Sequence, residues 1–365
     1  MNSANDFHEH VVVITGASSG IGLATAIAFA RRGACLALGA RRVDALHLAV
    51  EACTAAGGHA IAVPTDVTTE FEVVGLARAA IETFGHIDVW INNAGVGLFG
   101  PFASAEIAAH RRVIETNLFG AMHGAAAVLP YFLRQRHGVL ITNISVGGLA
   151  PVPFAAAYTA SKFGLRGFMA SLRQELRHVP GIRVCSLFPA TVDTPGFQHG
   201  ANVSGRKLEL SPALVVLSPQ EVAEAMISLA EHPRDELPLG WPTRLAKTAY
   251  SLAPLTTERA AGAYLRSYVR RGEPESKTMG NLFTPIAAGT STDGGWRASP
   301  RTRTATVLAG GLLAIAAALT TLALLRRQRP SASSRPRRPM PPQRRTRSSG
   351  GSYLEERVPH TRYAG

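Results

Sequence analysis

Val11-Val12-Val13-Ile14-Thr15-Gly16-Ala17-Ser18-Ser19-Gly20-Ile21-Gly22 decides the fold of this 365-residue chain. Its β-branched start suits a strand buried on both faces, as the central strands of a parallel sheet are. The run then ends in glycines and opens, from Leu23 to Arg32, into a helical pattern. Strand, glycine turn and helix in that order make the first turn of a dinucleotide-binding βαβ unit. Glycines let the backbone approach a pyrophosphate, and the helix start offers free amides and the positive end of its dipole. Gly16, Ser18, Ser19, Gly20, Ile21 and Gly22 are therefore candidate cofactor contacts. The predicted fold class is α/β: a Rossmann-type, doubly wound parallel sheet forming a single catalytic domain.

A second strand, Cys35-Leu36-Ala37-Leu38-Gly39-Ala40, ends about twenty residues after the glycines, where an NAD site carries an acid for the ribose 2′-hydroxyl. Ala40 stands there, followed by Arg41 and Arg42. Without the carboxylate and with two guanidinium groups, the site suits a 2′-phosphate, which arginine binds with a planar fork of donors. The expected cofactor is NADP (NADPH).

Tyr158-Thr159-Ala160-Ser161-Lys162 supplies the chemistry. Residues four apart share a helix face, so an ammonium is set beside a phenol. A free phenol has a pKa of about 10. A nearby positive charge lowers it toward the range useful for general acid-base catalysis. The chain has only four lysines among its 38 basic residues, which gives this one added weight.

Together these features resemble the classical short-chain dehydrogenase/reductase family, from about Val11 to about residue 240. Asp66-Val67 matches the family's adenine-contacting acid after the third strand, and Asn92-Asn93-Ala94-Gly95 its signature after the fourth. Asn117 matches its helix asparagine, and Ser145, thirteen residues before Tyr158, its catalytic serine. The resemblance implies that Tyr158 exchanges a proton with the substrate oxygen while Ser145 hydrogen-bonds that oxygen. Lys162 would lower the tyrosine pKa and hold the nicotinamide ribose, and Asn117 would support a water leading to solvent. Asp66, Val67, Asn93, Ala94 and Gly95 join the cofactor contacts. In Phe188-Pro189-Ala190-Thr191-Val192-Asp193-Thr194-Pro195, Val192 and Thr194 would meet the carboxamide. Ala190 departs from the glycine usual there. Gly196 to Val216 corresponds to the substrate lid, where Leu208, Leu210, Leu214, Val215 and Val216 permit an apolar substrate. The implied activity is hydride transfer between NADP(H) and a small-molecule carbonyl or alcohol, by a homo-oligomer. Ser145, Tyr158 and Lys162 argue against a nucleotide sensor without turnover.

The rest of the chain is read from composition. Residues 1–10 form a polar tail containing His8-Glu9-His10, and the twelve histidines lack ligand-like spacing, so no metal is expected. Three cysteines make no disulfide framework. Residues 241–271 read as a helical extension offering Tyr250, Leu252, Tyr264, Leu265, Tyr268 and Val269 for packing. Residues 272–304 lose periodicity and read as a linker, in which Phe283 and Trp296 stand out. Ala305 to Leu325 is uncharged and long enough to cross a bilayer of about 30 Å as a transmembrane helix. Residues 326–365 hold eleven arginines against Glu355 and Glu356, so this Pro- and Ser-rich tail, expected to be disordered, carries +9 of the chain's +13. No nucleic-acid-binding module accompanies that charge. Membrane lipid is the expected partner of helix and tail, with the catalytic domain facing the cytoplasm. The positive-inside rule would place the basic tail on that same side, and one spanning helix cannot satisfy both. A membrane-tethered interaction protein is the alternative function.

Overall fold

The computed structural model describes residues 7–208, 216–287 and 289–297. The segment 305–325, the tail 326–365 and Leu210, Leu214 and Val215 of the lid lie outside these residues. Among the described residues no helix is long and apolar enough to cross a membrane, and no cluster of metal-ligating side chains occurs.

Seven parallel strands form the central sheet: β1 (Val11–Thr15), β2 (Cys35–Ala40), β3 (His59–Pro64), β4 (Val89–Asn92), β6 (Gly138–Asn143), β7 (Ile182–Pro189) and β9 (Glu236–Leu239). Their order is β3-β2-β1-β4-β6-β7-β9, so the chain reverses direction across the sheet between β1 and β4. At such a switch point the connections leave in opposite directions and open a crevice at the carboxyl ends of the strands. Two short strands, β5 (Leu98–Phe99) and β8 (Ala201–Asn202), pair separately beside that crevice.

Side-chain alternation on β1 explains why both faces need cover. Val12 and Ile14 pack with Phe29 of α1 (Gly20–Ala30), Leu46 of α2 (Val43–Ala55) and Met226 of α8 (Pro219–Glu231). Val11 and Val13 point the opposite way, as the strand period of two requires. They join Leu76 of α3 (Glu70–Phe84), Phe132 of α5 (Gly120–Gln135) and Met169 of α6 (Ala156–Glu175). Both apolar layers are nearly free of solvent. Helix α4 (Ile107–Ile114) runs into α5 through a π-helical turn, Glu115–Phe119, where the Gly120 amide reaches back to the Glu115 carbonyl. Single π turns in α-helices often accompany functional sites.

Beyond the sheet, the helical extension is present as α9 (Trp241–Leu252) and α10 (Pro254–Arg271), after the short α7 (Gly196–His199) near the cavity. The packing expected of it is only partly made. Leu252 and Tyr264 are exposed, while Tyr250 meets Phe163 edge-on at 6.3 Å and Tyr264 stacks on Tyr268. Lys247 and Arg166 both bind Glu236, at 2.9 and 2.8 Å, fixing α9 against α6 and β9.

The larger correction concerns the linker. Residues 278–287 and 289–297 lie along the crevice as a strap hydrogen-bonded to the catalytic domain. Gly280 packs so closely on the His199 carbonyl that a β-carbon would collide with it, and its φ of 48° is one that glycine adopts freely. Periodicity fails here because the backbone is satisfied by loops and side chains of the core, not by a helix or sheet of its own.

Candidate active site

The glycine turn folds as its sequence demands. A β-carbon on Gly22 would collide with the Gly16 carbonyl, so Gly22 allows the turn to close but does not line the cavity. The first turn of α1 has no side-chain cap and no acidic residue, which leaves its N-terminal amides to other acceptors. Asn93 holds the turn from the β4 side. Its Nδ2 donates to the Thr15 and Gly16 carbonyls at 3.1 and 3.3 Å, and the Thr15 hydroxyl accepts the amides of Asn93 and Ala94.

That network continues to the catalytic end. Asn143 Nδ2 donates to Asn93 Oδ1 at 3.0 Å, and Lys162 Nζ donates to the Asn143 carbonyl at 3.2 Å. Lys162 is buried, and loss of hydration pushes its ammonium down to about 8. Its Nζ stands 5.6 Å from the centroid of the Tyr158 ring, over its face. Burial raises the Tyr158 pKa, and a hydrogen bond with Ser145 partly offsets the rise. Desolvation is thus the largest influence on the Tyr158 hydroxyl in this arrangement.

Ser145 follows β6 with φ 116° and ψ 160°, a region that side-chain-bearing residues rarely enter, and its hydroxyl accepts the Gly147 amide at 3.3 Å. Such strain costs about 1–3 kcal/mol and clusters at functional sites. Asn117 sits in the π-helical turn behind the cavity wall. Its side chain ties the turn to β4's exit: Oδ1 accepts the Val96 amide at 2.8 Å, while Nδ2 donates to the Val96 carbonyl and to Ser161 Oγ.

One cavity of about 530 Å³ unites these groups with the arginine end. All the site residues read from the sequence line it except Gly22 and Asn117. Arg41 is half-buried and makes no ion pair among the described residues; desolvation lowers its pKa, and Asp66 opposes that fall. A dehydrated guanidinium without a carboxylate partner fits an anionic phosphate. Asp66 is held by Arg112 at 2.7 Å and by Thr68, and those bonds bring its pKa below normal against the cost of burial. Arg112 and Asn143 were not identified from sequence; neither stands in a spacing that signals a role. The strap residues Asn281, Pro285 and Ile286, which also line the cavity, gave no signal either.

Comparison with known proteins agrees with this geometry. The family model for short chain dehydrogenase matches residues 10–202. The chain belongs to the short-chain dehydrogenase family. It is 32% identical over 326 residues to an uncharacterized oxidoreductase, YxnA, of Bacillus subtilis, covering 85% of this chain and 90% of that one. Among solved structures, an alcohol dehydrogenase of the archaeon Thermococcus sibiricus, complexed with 5-hydroxy-NADP, is 31% identical with a TM-score of 0.55. The match covers 63% of this chain and 95% of that one. L-sorbose reductase from Gluconobacter frateurii, complexed with NADPH and L-sorbose, is 26% identical with a TM-score of 0.58, covering 65% and 97%. An NAD⁺-bound xylitol dehydrogenase is equally near in fold, with a TM-score of 0.57 over 64% and 98%. This is accordingly an oxidoreductase family whose structural neighbours bind NAD or NADP.

Proposed function

We propose that this short-chain dehydrogenase transfers hydride between NADP(H) and a carbonyl or alcohol, with Tyr158 as the general acid or base. The observation that carries this reading is a single cavity with two chemically distinct ends. Ser145, Tyr158 and Lys162 face one end, and Arg41, next to Ala40, faces the other. The nicotinamide supplies the hydride when bound. Tyr158, its pKa raised by burial, keeps its proton near neutrality and can give it to a carbonyl oxygen. Ser145 offers that oxygen a second hydrogen bond and so orients it. Lys162, charged below about pH 8, serves as the donor to ribose hydroxyls.

Leu98, Phe99, Val146, Val152 and Leu208 line the walls beyond the tyrosine, which supports a lipophilic substrate. A membrane association through residues 305–325 would suit such substrates and remains part of this reading. The direct test is NADPH oxidation against a panel of aliphatic, aromatic and steroid-like carbonyls, with Tyr158→Phe alongside. Turnover in the wild type, lost by 10²-fold or more in the variant, is the expected result. NADPH binding without turnover of any carbonyl would reduce the protein to a nucleotide-binding module.

A further inference from the structure

The strap is fixed at both ends. At the first, Thr278 and Asn202 exchange both backbone hydrogen bonds, at 2.8 and 2.9 Å. Fully buried Leu282 then enters the apolar cluster of Val96 and Leu98, against which Tyr158 packs. At the second end the Asp193 carboxylate, only 3% exposed, accepts the amides of Gly294, Trp296 and Arg297 at 3.0, 2.8 and 3.1 Å. The Trp296 indole donates to the Thr194 carbonyl at 3.3 Å. Phe283 and Trp296, anomalous in a linker, thus belong to a folded segment. Hydrogen bonds to an ionised carboxylate are the strong ones, so Asp193 is the principal anchor.

Between its ends the strap occupies the donors suited to phosphates. Arg41 donates to the Asn281 and Phe283 carbonyls at 2.7 and 3.3 Å, and Arg42 to those of Ile286 and Ala287, both at 2.9 Å. The Gly20 amide, at the start of α1, donates to the Ser291 carbonyl at 3.0 Å. A phosphate oxygen is a stronger acceptor than a neutral carbonyl and can take these donors over. A dinucleotide must nevertheless pass a segment tied to both sides of the cavity.

We propose that residues 278–287 and 289–297 gate the dinucleotide site: entry and release of the cofactor both require the strap to detach from Asp193, and the closed strap forms the outer wall over the arginine end. The proposal rests on the dinucleotide-binding reading of the cavity. The similarity to the Bacillus subtilis oxidoreductase, spanning 85% of this chain, reaches across the strap as well.

The test is stopped-flow fluorescence of NADPH binding and displacement with the full chain, comparing wild type, Asp193→Asn and Trp296→Ala. A gate raises the association and dissociation rate constants together, about tenfold for Asp193→Asn, as expected for weakening bonds to a charged acceptor, and less for Trp296→Ala. The Kd should change less than either rate. Unchanged rates in both variants would overturn the gate. So would faster dissociation alone, which describes a wall contact. Should the wild type prefer NADH, equilibrium affinities reveal it, and the rates are then measured with NADH, so the gate is judged separately. A wild type that binds neither dinucleotide overturns both readings.

Discussion

Ser145 and Tyr158 line the same cavity, where the Ser145 hydroxyl draws the tyrosine pKa down against burial, from a backbone at φ 116° that suits glycine better than serine. The strain implies a cost borne for the position of one hydroxyl. Ser145→Gly should therefore stabilise the protein by about 1 kcal/mol, the low end for a relieved outlier, since glycine also adds unfolded-state entropy. The same variant should lose most of its turnover. Ser145→Ala should lose turnover without the gain, because alanine keeps the β-carbon. Urea midpoints and steady-state rates on the three proteins check this, and equal midpoints for glycine and alanine would show that the backbone is not strained.

Arg41 and Ala40 lead to a prediction on cofactor choice. Arg41→Ala should weaken NADPH by about 1.5–3 kcal/mol, the range for a hydrogen bond to a charged group, and leave NADH almost unchanged. Titration calorimetry with both cofactors reads the difference directly. The strap adds a refinement, because two strap carbonyls lose their donor in this variant. NADH should then associate and dissociate faster together, with little change in its Kd, and equal losses of affinity for both cofactors would make Arg41 purely structural.

The readable parts of this site were those whose chemistry is local in sequence. Gly16 to Gly22 names a strand, a turn and a helix within one short run, and Tyr158 with Lys162 names one helix face. These residues meet as expected because β1, β4 and β6 end at the same edge of the sheet. Asn143, Arg112 and Asp193 act through partners far along the chain, such as Asp193 with Trp296, and no periodicity encodes such pairs. The strap was misread for the same reason: Gly, Ser and Thr satisfying a distant surface look like Gly, Ser and Thr in solvent.

Lys162 makes the site sensitive to pH, and the sign follows from its depressed value. Burial disfavours the charged form, so the proton is lost as pH rises through about 8 instead of 10.5. Below that pH the ammonium is present in the folded and unfolded chains alike and its desolvation counts fully against stability. Between about 8 and 10.5 the unfolded chain binds the extra proton, so this group's contribution to stability rises with pH. Cofactor binding should show the opposite trend. The NADPH Kd should rise roughly tenfold from about pH 7 to about pH 9.5 as a charge-assisted donor becomes neutral. Lys162→Ala should start weak and show no such step. A wild-type affinity flat over that interval would mean that the charge of Lys162 does not reach the cofactor.

The uncharged run from Ala305 to Leu325 gives the last prediction, and the strap sharpens how it is tested. A chain shortened to end at Arg303 keeps Trp296 and Arg297 on Asp193, so it keeps every contact described for the cavity. That shorter protein should be soluble and bind NADPH with the rates of the full chain. The full chain should sediment with membranes and resist extraction by high salt or carbonate, as a helix inserted in lipid does. Release by salt alone would assign the attachment to the arginines beyond residue 325, which bind an anionic surface through charge. A full chain that stays soluble, paired with a shortened one that misfolds, would mean that the run packs against protein, and the membrane reading would fail.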